Sequence, residues 1–70
     1  MVTLNGIEFA YCRGLSLKEL MDDYNAGHPH IAFDGHVVLI NGTVITASEA
    51  RKKTLLDNDK IRIIELLEGG

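Results

Sequence analysis

Residues 61–70 read Ile61-Arg62-Ile63-Ile64-Glu65-Leu66-Leu67-Glu68-Gly69-Gly70. Isoleucine at 61 and 63 with arginine between them is a strand pattern, and the segment 61–67 is rich in residues that favour a pleated, half-buried surface. Such a strand suits an interior sheet position with at least one face covered. If Ile61 and Ile63 point to the core, then Arg62, Ile64 and Leu66 share the other face. Asp57-Asn58-Asp59 supplies the polar turn before it, and Leu55-Leu56 a short apolar step before that. An interior strand needs a neighbour on each side.

Two Asn-Gly pairs earlier in the chain mark turns between short apolar segments. Val2-Thr3-Leu4 and Ile7-Glu8-Phe9-Ala10-Tyr11 flank Asn5-Gly6, the pair best suited to positive φ at both centres of a type I′ turn. Residues 2–12 therefore read as a hairpin with Ile7, Phe9 and Tyr11 on one face. Val37-Val38-Leu39-Ile40 and Thr43-Val44-Ile45 flank a second Asn-Gly pair at Asn41-Gly42. Between the hairpins, Ser16-Leu17-Lys18-Glu19 is a capping box, and Leu17, Leu20, Met21 and Tyr24 follow at i, i+3, i+4 and i+7. The spacing predicts one amphipathic helix over 16–26, with Gly27 as its C-cap and Pro29 preventing continuation. Ile31-Ala32-Phe33 reads as extended, and Asp34-Gly35 as a turn. Thr46-Ala47-Ser48-Glu49 repeats the capping pattern, predicting a helical turn over 47–52 with Arg51-Lys52-Lys53 at its cationic end.

A hairpin, a helix and further strands bury their apolar faces by laying the helix across one face of a mixed sheet. The natural closure inserts the last strand beside the first and parallel to it. This is an α+β chain of β-grasp (ubiquitin-like) architecture: four to five strands, one main helix, and a single domain over 1–70 whose flexible tail begins at about residue 67.

Composition bounds the function. Seventy residues with 46% hydrophobic and 24% charged side chains make one small globular domain. One cysteine supplies neither a disulfide framework nor a cysteine zinc site, which points to a reducing, cytoplasmic setting. A net charge of −3 and a pI near 5.4 argue against nucleic acid as the main partner. The longest wholly apolar run, Val37 to Ile40, is far too short for a membrane-spanning helix.

No nucleophile–base set is visible. Ser16 and Ser48 read as helix-cap groups, and the glycines before the tail are dispersed singly at turns, so there is no phosphate-cradling loop. Asp22/Asp23 and Asp57/Asp59 read as solvated charges. His28, His30 and His36 fall within nine residues, yet their spacing matches no closed tetrahedral metal motif, so no metal site is expected. Cys12, at a strand end beside Arg13, reads as a half-buried inert thiol.

The tail is different. Gly69-Gly70 directly after an ordered apolar strand contributes no packing. It provides a thread without side chains, long enough to reach roughly 10–13 Å beyond Leu67 at 3.3 Å per residue. Such a thread suits a narrow active-site channel, and the carboxylate at its tip is the one functional group it displays.

The first hairpin, the Ser16-Leu17-Lys18-Glu19-Leu20 helix start, Val38-Leu39-Ile40-Asn41-Gly42, Leu56-Asp57-Asn58-Asp59-Lys60-Ile61 and Gly69-Gly70 together resemble the ubiquitin-like sulfur carriers of the ThiS/MoaD superfamily. The resemblance is greatest to its thiamine-biosynthesis branch and covers nearly the whole chain. Two departures are the longer, histidine-rich segment Gly27–His36 and Asn58 where the family often has glycine, a position asparagine tolerates in left-handed geometry.

The resemblance implies that an E1-like adenylyltransferase of the ThiF/MoeB type uses MgATP to adenylate the Gly70 carboxylate. Sulfur from a persulfide donor then displaces AMP, leaving a thiocarboxylate. It implies a protein cosubstrate rather than an enzyme, with no bound cofactor and no catalytic residue of its own. Gly70 carries the sulfur; Leu67, Glu68 and Gly69 thread the channel. Arg62, Ile64, Glu65 and Leu66 are the candidate docking residues, and a thiazole synthase of the ThiG type is the expected acceptor. Neither nucleic acid nor membrane is an expected partner. A MoaD-type carrier for molybdopterin or another sulfur pathway, a lysine-linked protein modifier and a non-covalent β-grasp module share this sequence pattern. The fate of the acyl group separates the modifier from the carriers, and only the non-covalent module dispenses with the glycines.

Overall fold

The computed structural model describes residues 1–27 and 31–65. Its elements are β1 (Val2–Leu4), β2 (Ile7–Phe9), α1 (Leu17–Gly27), β3 (His36–Ile40), β4 (Thr43–Ile45), α2 (Ala47–Arg51) and β5 (Lys60–Glu65). One mixed five-stranded sheet has the order β2-β1-β5-β3-β4. The last strand does pair beside the first, and it lies between the two hairpins. It runs parallel to β1, with Leu4 opposite Ile61, and antiparallel to β3, with Val38 opposite Ile63. The architecture is β-grasp.

Local chemistry forms these elements. Asn5 and Gly6 have φ of 51° and 83°, and Asn41 and Gly42 have 52° and 84°, the doubly left-handed turns that let hairpin strands twist correctly. Asn58 at φ 69° likewise takes the left-handed geometry. Helix α1 opens with the reciprocal capping box: the Ser16 Oγ accepts from the Glu19 amide at 3.1 Å, and the Ser16 amide donates to the Glu19 carboxylate at 3.4 Å. Its buried stripe is Leu17, Leu20, Met21 and Tyr24. These side chains meet Val2, Leu4, Val38, Ile40, Ile61 and Ile63 from the sheet, with Leu15, Leu55 and Ala50 closing one end of the core. The connection after β2 is stitched to the segment before β5, since the Leu55 amide donates to the Leu15 carbonyl at 2.8 Å and the Leu17 amide to that of Lys53 at 2.9 Å.

Several expectations need correction. Strand β2 stops at Phe9, leaving Tyr11 packed against the core from a loop. Cys12 sits in the following turn and is exposed, not half-buried. Gly27 is the last residue of α1 and lacks the positive φ of a left-handed cap. Ser48 lies inside α2; the cap is Thr46, whose Oγ1 accepts from the Glu49 amide at 3.1 Å. Ile31 is buried but belongs to no strand, because the Asn25 side chain takes its backbone partners: the Ile31 amide donates to Oδ1 at 2.8 Å, and Nδ2 donates to the Ile31 carbonyl at 2.9 Å. The largest correction is Asp59. It is buried, only 7% exposed, and its carboxylate accepts from the Leu56 amide at 2.8 Å and the Asn41 side-chain amide at 2.9 Å. Asp57 does remain exposed, and its hydrogen bond to the Met1 ammonium holds its carboxyl below the usual carboxylate range.

Candidate functional site

Alternation along β5 divides its side chains between the two faces of the sheet. Ile61 and Ile63, 1% and 4% exposed, enter the core under α1. Arg62 and Ile64 take the opposite, helix-free face, and Ile64 is 44% exposed. The register across the sheet then builds a surface. Ile64 stands opposite Val37, Arg62 opposite Leu39, and Leu39 opposite Val44 on the edge strand. Val37 and Leu39 are half-buried, and Val44 is exposed. An apolar band therefore crosses β5, β3 and β4 on the open face.

Cations border that band. Lys60 and Arg62 lie on the same face, and with Leu39, Asn41 and Gly42 they line a shallow depression at the lower end of β5. Neither forms an ion pair among the described residues. By the same alternation the Glu8 carboxylate also faces outward, opposite Thr3, but on β2, two strands away from β5. A chain of net negative charge thus offers a locally cationic, apolar face. Burying the band against a partner would remove apolar surface from water at roughly 25 cal/mol per Å².

Two of the expected docking residues, Arg62 and Ile64, are brought together on this face. Glu65 is not with them. It lies on the helix side of the sheet, exposed, across the ladder from His36. Leu66, Leu67, Glu68, Gly69 and Gly70, the last of them the position expected to bear sulfur, lie outside the described residues, as do His28 and His30. His36 is described: its Nδ1 is 3.0 Å from the Asp34 carbonyl oxygen, which can only accept, so that nitrogen bears a proton. No group of three side chains able to hold a metal ion occurs among the described residues. No described helix is long and apolar enough to cross a membrane.

Sequence reasoning missed Val37, Leu39 and Val44. The unbroken run Val37-Val38-Leu39-Ile40 hides its own alternation, and only the pairing of Val38 with Ile63 reveals which members face outward. Among the described residues, the face presents apolar and cationic side chains suited to docking a partner.

The sequence from residue 2 to residue 70 matches the model of the ThiS family. Among curated proteins, none matches the chain.

Proposed function

The chain belongs to the ThiS family of sulfur carriers, and from that premise we propose that it carries sulfur as a thiocarboxylate on Gly70, for thiazole formation in thiamine biosynthesis. The observation that carries the reading is the family match running through Gly69-Gly70, together with the central place in the sheet of β5, the last described strand before them in sequence. A carboxylate is a poor acyl electrophile. Attack of its oxygen on the α-phosphorus of ATP expels pyrophosphate and leaves an acyl-adenylate with a good leaving group. A persulfide sulfur then attacks the acyl carbon and AMP departs; reductive cleavage of the resulting acyl disulfide by a thiol leaves the thiocarboxylate. The base, the magnesium ion and the charge stabilisation for these steps belong to the partners. This chain contributes the thread and the docking face, as a cytoplasmic cosubstrate rather than an enzyme. Its partners are an E1-like adenylyltransferase and a thiazole synthase.

Intact-mass spectrometry tests the reading. Incubated with an E1-like partner, MgATP, a persulfide donor and a reducing thiol, the protein gains the mass of one oxygen-to-sulfur exchange. Deletion of Gly70 abolishes that product and leaves the fold intact. Addition of one alanine after Gly70 moves the carboxylate roughly 3.3–3.6 Å along the thread and is nearly as damaging. Equal thiocarboxylate on the extended protein would show that the channel does not measure the tail. No sulfur on any of the three, across several E1-like partners, would leave a non-covalent interaction module.

A further inference from the structure

The two Asn-Gly hairpins each send an asparagine side chain onto β5, one near its start and one near its end. At the start, the Asn41 Oδ1 accepts from the Lys60 amide at 2.9 Å, and its Nδ2 donates to Asp59. Near the end, the Asn5 Oδ1 accepts from the Ile63 amide at 2.9 Å, and its Nδ2 donates to the Ile63 carbonyl at 3.3 Å. Only this orientation of the amide satisfies both backbone groups.

The Asn5 contact continues a ladder that the backbone has abandoned. The Asn5 amide donates to the Ile61 carbonyl at 2.9 Å, as in an ordinary parallel pair. The next rung would use the Asn5 carbonyl to accept from the Ile63 amide. At φ 51°, however, the chain is already turning into Gly6, and the side-chain amide supplies the acceptor instead. The backbone register between β1 and β5 ends at Leu4 and Ile61, whereas β3 continues alongside β5 as far as Glu65. From Ile63 onward the strand is therefore held by backbone on one side and by Asn5 on the other. The turn itself does not require this amide, since glycine adopts positive φ at least as readily.

We propose that Asn5 is a positioning residue for the tail: by pairing with the Ile63 backbone where β1 has turned away, it holds in the sheet the end of β5, the strand from which the sequence continues to Gly70. The inference rests on the carrier reading above. Reaction of the terminal carboxylate demands its placement at the α-phosphate, and a loosened root spreads the thread over many directions.

Asn5→Gly removes the amide and keeps the turn. Asn25→Ala is the control: it removes a side-chain amide that likewise pairs with both backbone groups of one residue, Ile31, away from β5 and its open face. Asn5→Asp retains an acceptor for the Ile63 amide but loses the donor to its carbonyl. Each variant is assayed for thiocarboxylate formation with the E1-like partner, for urea stability, and for exchange of the Ile63 amide by NMR. For Asn5→Gly, faster Ile63 exchange is expected with a kcat/KM roughly tenfold or more below wild type. Asn5→Asp falls between, and Asn25→Ala transfers sulfur as wild type does. An undiminished kcat/KM in Asn5→Gly, or an equal loss in Asn25→Ala, overturns the proposal. Wild-type protein that gains no sulfur refutes the carrier reading instead, and Ile63 exchange still decides whether Asn5 holds the strand: unchanged exchange in Asn5→Gly sinks it.

Discussion

Replacing Asp59 by alanine is expected to destabilise the domain more than any exposed carboxylate would. The residue is 7% exposed, and its two oxygens serve different donors, the Leu56 amide at 2.8 Å and the Asn41 Nδ2 at 2.9 Å. Hydrogen bonds to a charged group contribute about 1.5–3 kcal/mol each, and a buried donor left unpaired costs about 1–3 kcal/mol. The Asn41 side chain is only partly buried and finds water when Asp59 is gone, so the two contributions do not simply add. A loss of about 2–4 kcal/mol follows. For a chain of this length, with total stability of roughly 3.5–10 kcal/mol at 0.05–0.15 kcal/mol per residue, that is a large fraction.

Urea denaturation followed by far-UV circular dichroism measures it, as a lower midpoint at constant slope. Asp59→Asn keeps the size and one acceptor but turns an NH2 group toward a donor, so it loses nearly as much as the alanine variant. Combining Asp59→Ala with Asn41→Gly closes a double-mutant cycle with a coupling of about 1 kcal/mol. A loss below about 0.5 kcal/mol for Asp59→Ala would refute the reasoning, because surface substitutions stay within that range.

Three further outcomes follow from other features. Leu20, 1% exposed in the core stripe of α1, loses about 2–4 kcal/mol on substitution by alanine; a loss under about 0.5 kcal/mol in the same denaturation assay would mean that the helix does not pack as described. The Asp57 carboxyl titrates below its usual range because of its hydrogen bond to the Met1 ammonium, so its contribution is complete above the unfolded value and disappears as pH falls through the folded one. The difference in urea midpoint between wild type and Asp57→Asn should thus be steady near neutrality and shrink below about pH 4; a constant difference down to about pH 2 contradicts the linkage. Replacement of His28, His30 and His36 together by glutamine should leave the thermal midpoint and sulfur transfer nearly unchanged, and a stoichiometric transition metal lost with those side chains, seen by elemental analysis, would show a metal site.

Most of the fold is legible because it is written in short-range terms. Asn5-Gly6 and Asn41-Gly42 specify their turns through φ alone, and Ser16 with Glu19 specifies the start of α1 through three residues. The interior, parallel place of β5 beside β1 also follows from sequence, since Ile61 and Ile63 need a covered face; its pairing with β3 appears only in the structure. The faces of β5 follow from a period of two. What fails is whatever depends on distant partners. Asp59 reads as a solvated turn carboxylate until the Asn41 side chain, 18 residues earlier, is brought onto it. Tyr11 and Cys12 read as strand until the loop after β2 is seen tied to Leu55, whose carbonyl accepts from the Tyr11 hydroxyl at 3.3 Å.

The asparagines mark the boundary between the two kinds of information. Asn5, Asn25 and Asn41 each have a local reading: a turn, the polar edge of a helix, a second turn. Each also has a remote one, a primary amide that mimics a peptide group and pairs with backbone at Ile63, Ile31 and Lys60 respectively. Glycine or aspartate would satisfy the local requirement of either hairpin equally well, so nothing in a local window distinguishes the second role. Strand β1, three residues long, has few backbone rungs to hold the central strand β5. Side-chain amides extend those rungs without lengthening the strands. The device keeps both hairpins short, and with them the edge strands β2 and β4 that other chains could pair with, while β5 stays in register with β3 as far as Glu65.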